Sequence, residues 1–165
     1  MAGTLVIRPL MAQLNFDTEY FAKMDPYAKF TIGNQVVKTR PANDQNRQPT
    51  WNDTLQIRLN GGEQGMNVSL FDKDNITFDD YLCEGMINLG EIVGRGNFTN
   101  VYGLFKNGRP CGQIQIAFEF YPGNQQPVNY NQGFQQGGYG GQQGGYGQPQ
   151  QHGRFGAVGD FFGFK

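Results

Sequence analysis

Chemistry in this chain is concentrated in acidic side chains. Glu19 and Asp25 stand six residues apart in Glu19-Tyr-Phe-Ala-Lys-Met-Asp25, and Asp72, Asp74 and Asp80 occupy relative positions 0, 2 and 8 of a second stretch. A hard cation such as Ca²⁺ takes about six to eight oxygen ligands, largely carboxylates and carbonyls. Two loops that bring these five side chains together would supply most of such a shell. Both stretches also carry large apolar residues: Tyr20, Phe21 and Met24 in the first, Ile76 and Phe78 in the second. Carboxylates beside bulky hydrophobes suit a place where a metal neutralises the charge and the apolar tips enter a bilayer. The competing reading is plain turn chemistry, since Asp and Asn bond their own backbone in loops, with the apolar tips packing loop against loop. Five carboxylates delivered by two distant stretches favour the metal, whereas insertion and packing of the tips stay evenly matched.

Other chemistry is sparse. His152 is the single histidine and has no Ser or Cys arrangement around it that could serve a nucleophile. No glycine-rich loop follows a strand and opens a helix to hold a phosphate. An enzyme is not expected. Cys83 and Cys111 match no metal spacing and no disulfide framework, which predicts reduced thiols in a cytoplasmic protein. Lys29, Lys38 and Arg40 form a small basic group. Residues two apart on a strand share a face, so Lys38 and Arg40 would make a patch for anionic lipid head groups, unless they are simply a solvated surface. Net charge is −1, so bulk electrostatics predict no nucleic-acid partner and leave any membrane affinity to local sites.

The elements that must position these residues read as strands. Apolar residues alternate at Leu5 and Ile7, at Ala28, Phe30 and Ile32, at Leu55, Ile57 and Leu59, at Met66, Val68 and Leu70, and from Ile114 to Phe120. Gly33-Asn34, Asn60-Gly61-Gly62 and Asn107-Gly108 read as hairpin turns. No window of eleven or more residues shows a helical stripe. Short strands with one apolar face predict two sheets packed face to face, an all-β sandwich. Trp51, just ahead of a strand, is expected to be structural.

Several motifs then resemble one family. Gly3-Thr-Leu-Val-Ile7, Met24-Asp-Pro-Tyr-Ala-Lys-Phe30, Pro49-Thr-Trp-Asn52, Leu70-Phe-Asp-Lys-Asp74 and Asp79-Asp-Tyr-Leu82 follow one another as in the calcium- and phospholipid-binding C2 domain, across residues 3–121. The resemblance is to small single-C2 proteins of the plant and protist kind. It implies an eight-stranded antiparallel sandwich in the second of two circularly permuted topologies, with calcium loops at one end. It carries Glu19, Asp25, Asp72, Asp74 and Asp80 over as candidate ligands, and an anionic phospholipid membrane as partner. Position 19 departs from the family's usual Asp, with Asp17 nearby, and Cys83 stands where Gly is usual.

Composition divides the chain. Residues 1–123 hold nearly all the charge and aliphatic content, enough for a core without staples; from Asn124 to Gln150 there is no charged residue, and Gln135-Gln-Gly-Gly-Tyr-Gly140 recurs at Gln142–Gly147. Residues 124–165 are therefore expected to form a low-complexity tail. It ends in Phe155, Val158, Phe161, Phe162 and Phe164, an apolar cluster read as a docking segment for a protein partner or for the sandwich itself, the competing reading being a tolerated tail without function. No run is apolar and long enough to span a bilayer, and no signal peptide opens the chain. The overall expectation is a non-enzymatic, calcium-dependent module peripheral to a membrane. The alternative is an adaptor, in a cytoskeletal or membrane-associated assembly, with the sandwich as scaffold.

Overall fold

The computed structural model describes residues 1–15, 24–74, 78–125 and 127. The chain clusters into two compact units, Met1–Asn129 and Tyr130–Lys165, and all described residues belong to the first. Eight strands run β1 (Gly3–Leu14), β2 (Pro26–Ile32), β3 (Gln35–Lys38), β4 (Leu55–Leu59), β5 (Gly65–Asp72), β6 (Asp80–Asn88), β7 (Phe98–Lys106) and β8 (Arg109–Pro122). A short helix, α1 (Leu89–Arg95), joins β6 to β7.

All pairings are antiparallel, in the order β3-β2-β5-β6-β7-β8-β1-β4. The ladders are long except between β6 and β7, which meet at one register pair, Glu84 opposite Phe105. There the ribbon turns from one layer, β3-β2-β5-β6, to the other, β7-β8-β1-β4. A Cβ on Gly85 would stand 2.6 Å from the Gly103 carbonyl oxygen, so this close seam needs a residue without a side chain. The two edge strands approach each other, where Gln35 Nε2 of β3 donates to the Arg58 carbonyl of β4 at 2.6 Å. The result is a sandwich close to a barrel, with the C-terminal β8 between β7 and β1.

Burial follows the period-two pattern. Ile114, Ile116, Phe118 and Phe120 point inward from β8, and Leu5, Ile7, Phe30, Val68, Leu70, Leu82, Ile87 and Leu104 meet them in one core. Asn107 and Gly108 close the β7–β8 hairpin with φ of 52° and 75°, the paired positive values of a type I′ turn. Gly33, at φ 54°, turns β2 into β3. Asn60-Gly61-Gly62 differs from expectation. It joins β4, which pairs with β1, to β5, which pairs with β2 and β6. The segment is therefore a crossover between layers, with Glu63 accepting from the backbone N–H groups of Asn60 and Gly61 at 2.9 Å each. Helix α1 is capped by Asn88, whose side chain accepts from Gly90 N at 2.8 Å. At seven residues it is too short to leave a periodic trace.

Among the described residues, no helix is long and apolar enough to cross a membrane.

A candidate cation site at one end of the sandwich

Register brings the acidic stretches together. Pro26, Asp72 and Asp80 are paired across three adjacent strands, β2, β5 and β6. Asp25, one residue before β2, and Asp74, two beyond β5, therefore arrive at the same end. Asp25 N donates to Asp72 Oδ1 at 2.7 Å, and Lys73 N donates to the Asp25 carbonyl at 3.1 Å. A third loop, residues 39–54 between β3 and β4, closes over this end. The Asp44 backbone N–H donates to Asp25 Oδ1 at 2.7 Å, and Asn46 Oδ1 accepts from Met24 N at 2.9 Å. Trp51 holds that loop down: its ring is buried and its Nε1 donates to the Pro26 carbonyl at 3.1 Å. The expected structural role of Trp51 is thus given specific form, as a strut between the loop and the start of β2.

Asp72 is the electrostatic centre. Burial pushes its carboxyl above the usual carboxylate range, the Asp25 N–H bond opposes this, and repulsion from Asp25, Asp80 and Asp74 adds to the rise. A half-buried carboxylate among three others of the same sign is destabilised as an anion, and a divalent cation would relieve that repulsion. In kind, then, the donors suit Ca²⁺: hard oxygens, mutually repelling, at the mouths of loops. Among the described residues, no group of three such side chains is already drawn together around one point. Backbone donors engage Asp25 Oδ1 and Asp72 Oδ1 and so fix how these two carboxylates are presented. Glu19, Asp17, Tyr20, Phe21 and Ile76 lie outside the described residues, as do His152 and the cluster Phe155, Val158, Phe161, Phe162 and Phe164.

Two described apolar residues were expected at the tip, and they part company. Phe78 is 95% exposed. Met24 is 1% exposed and belongs to the core cluster, which corrects its expected membrane insertion. It stands two residues before β2, its N–H is tied to Asn46, and its side chain falls inward.

Asp79, passed over in the sequence in favour of its neighbour Asp80, has both carboxylate oxygens engaged. Its Oδ1 accepts from Lys73 Nζ at 2.9 Å and from Asp74 N at 3.2 Å, and its Oδ2 from the Tyr27 hydroxyl at 2.9 Å. The Lys73 ammonium, then Tyr27, hold its carboxyl down to about 2. Burial, and secondarily Asp79, push the Tyr27 hydroxyl up to about 12. The only sequence signal for this role was the Asp79-Asp80 doublet, of which the 0, 2, 8 spacing accounts for one member.

Lys29 and Lys38 stand directly opposite each other on β2 and β3. Like charges so placed repel, and aromatic faces take up the positive charge. Lys29 Nζ lies 4.5 Å from the Phe71 ring centroid and Lys38 Nζ 5.6 Å from that of Tyr27. Tyr27 stacks on Phe71 at 5.6 Å, and Phe71 meets Tyr81 edge-on at 5.8 Å. The expected patch therefore gains an aromatic floor but loses Arg40. β3 ends at Lys38, so Arg40 does not share its strand face, and its Nε pairs with Asp53 Oδ1 at 2.9 Å. Cys83 and Cys111 are buried free thiols, both pushed up by burial, which keeps them protonated.

Comparison with known proteins agrees with this architecture. Residues 3–104 match the family model described as C2 domain. The 16 kDa phloem protein 2 of Arabidopsis thaliana is 29% identical over 140 residues, 84% of this chain and 92% of that protein. A solved C2 domain-containing protein from an elicitor-responsive gene superposes with a TM-score of 0.65 at 28% identity, covering 76% of this chain and 94% of that one. The calcium-bound C2A and C2B domains of Extended-Synaptotagmin 2 give a TM-score of 0.58 at 26% identity, over 72% of this chain and 45% of theirs. Strand order, the matched residues and these relatives agree: the chain belongs to the C2 domain family.

Proposed function

We propose that this C2 domain is a non-enzymatic module that binds anionic phospholipid membranes peripherally and in a calcium-dependent manner. The observation that carries the reading is the convergence of Asp25, Asp72, Asp74 and Asp80 on one end of the sandwich beside a 95% exposed Phe78. Glu19, Asp25, Asp72, Asp74 and Asp80 would hold the ion, which supplies positive charge at the loop tips and a bridge to lipid phosphate. Without a counter-charge, these carboxylates repel an anionic surface. Once they are neutralised, Phe78, with Tyr20, Phe21 and Ile76 from the same two stretches, can leave water for the acyl boundary. Lys29 and Lys38 offer head-group phosphates two adjacent cations, each worth about 1 kcal/mol near an anionic surface.

The test is co-sedimentation of the full chain with vesicles of phosphatidylcholine and phosphatidylserine. Binding is expected with calcium, is lost with chelator, and is lost in Asp72→Asn combined with Asp74→Asn. Equal binding in calcium and in chelator would overturn the reading. Lys29→Ala with Lys38→Ala should weaken binding to phosphatidylserine vesicles by roughly 30-fold, the effect of two such cations near the surface, while leaving calcium uptake without lipid unchanged.

A further inference from the structure

Asp79 shares the acidic end of the sandwich with the candidate ligands, yet both of its oxygens are already engaged, one by Lys73 Nζ and Asp74 N, the other by the Tyr27 hydroxyl. Lys73 lies in sequence between Asp72 and Asp74. Its backbone N–H is tied to the Asp25 carbonyl at 3.1 Å, so its long, flexible stem is rooted inside the acidic end. A free ammonium at that root can reach any of the neighbouring carboxylates and would be a competitor for a divalent cation built into the chain. In the structure the ammonium is instead drawn to Asp79, at 2.9 Å. Tyr27, rooted in β2, fixes the other oxygen, so the clasp is anchored to the sheet rather than to the loop alone.

We propose that Asp79 is a positioning residue for the cation site: it takes no place in the ligand shell but holds the Lys73 ammonium away from Asp72 and Asp74. This rests on the calcium reading above and adds to it a built-in competitor and the residue that restrains it. The clasp also ties the two sides of the second acidic stretch together, since Lys73 and Asp74 stand near its start and Asp79 near its end. Three donors already draw on the Asp79 carboxylate, the Lys73 ammonium among them, so a cation there would compete with all three.

The distinguishing variant is a second-site rescue. Calcium binding to the full chain is followed by calorimetry, and the Lys73 ammonium by amine-detected NMR of the chelator-treated protein. In chelator, the wild type should show a slowly exchanging Lys73 ammonium signal that is missing in Asp79→Asn. In calcium, Asp79→Asn should bind roughly tenfold more weakly, and Asp79→Asn with Lys73→Met should return to within about twofold of the wild type. If the double variant binds no better than Asp79→Asn alone, Asp79 acts as a ligand or only as a fold element, and the proposal is overturned. Calcium heat absent from the wild type would overturn the calcium reading instead. The chelator experiment then decides the clasp by itself, and a Lys73 signal equally averaged in wild type and Asp79→Asn would overturn it.

Discussion

Met24 and Phe78 make a matched pair for separating fold from function. Both are large apolar residues beside candidate ligands, yet one is 1% and the other 95% exposed. Truncating a fully buried methionine to alanine costs about 2–5 kcal/mol, the lost transfer energy plus the cavity left behind. For a folded unit of this size each kcal/mol lowers the melting temperature by about 3–6 °C, so Met24→Ala should melt at least about 6 °C lower. Phe78→Ala removes a side chain that already faces solvent and should change stability by no more than about 0.5 kcal/mol. On a membrane the order reverses. Burying one phenylalanine contributes about 1.5–3 kcal/mol, so Phe78→Ala should weaken calcium-dependent vesicle binding by roughly 10- to 150-fold. Met24→Ala should bind like the wild type at a temperature where it is still folded. Differential scanning calorimetry and vesicle co-sedimentation at low temperature give the two readings. A Phe78→Ala protein with undiminished vesicle affinity, or a Met24→Ala protein that keeps its melting temperature but loses vesicles, would refute the reasoning.

Further outcomes follow from other contacts. Trp51→Phe removes one of two hydrogen bonds to the Pro26 carbonyl, which also accepts from Ala42 N at 2.8 Å. The loss should be about 1 kcal/mol, read as a lower urea midpoint with an unchanged slope. Glu119 is held below the usual carboxylate range first by Arg8 and then by Tyr121, with burial opposing. A group depressed in the folded state contributes stability that is present above its unfolded value and lost as pH falls through the folded one. The stability difference between wild type and Glu119→Gln should therefore be full near neutrality and shrink below the ordinary glutamate range; chemical denaturation at a series of pH values checks this, and a difference that grows on acidification would contradict it.

Much of the sandwich was legible because its longer strands have one wet and one dry face. Leu55, Ile57 and Leu59 on β4, and Ile114 to Phe120 on β8, carry that alternation without interruption. It fails where geometry interrupts it. In β6 the register shifts after Leu70, so Leu82 and Cys83 are both buried and the period of two is broken. β3 is four residues long and β7 is largely half-exposed, so neither leaves much of an apolar stripe. The Asn-Gly-Gly segment had the composition of a hairpin, but composition does not say which strands a turn joins. At the acidic end, ligand-like spacing singled out side chains that register then brought together. The partners of Asp79 were not legible, because Lys73 meets it only through the pairing of β5 with β6, and Tyr27 only through the further pairing of β2 with β5. Met24 misled for a related reason: position beside an acidic residue says nothing of which way a side chain turns, and the bond of its N–H to Asn46 Oδ1 is not written in the local sequence.

One consequence of the strand order concerns reporters. Gly3 pairs with Pro122, and Gly123 N donates to the Ala2 carbonyl at 2.9 Å, so the start of β1 and the finish of β8 are neighbours. At the other end of the same ladder Leu14 pairs with Gly112, where β1 runs into the first acidic stretch. At about 3.3 Å per residue, the two poles are separated by roughly 35 Å. A dye attached at Ala2 or Gly123 would thus be held a full strand length from any surface the carboxylates and Phe78 engage. Energy transfer from such a dye to a lipid-borne acceptor would then report orientation as well as attachment, because a molecule lying on its Lys29–Lys38 face brings the dye down towards the bilayer while one standing on its loops does not.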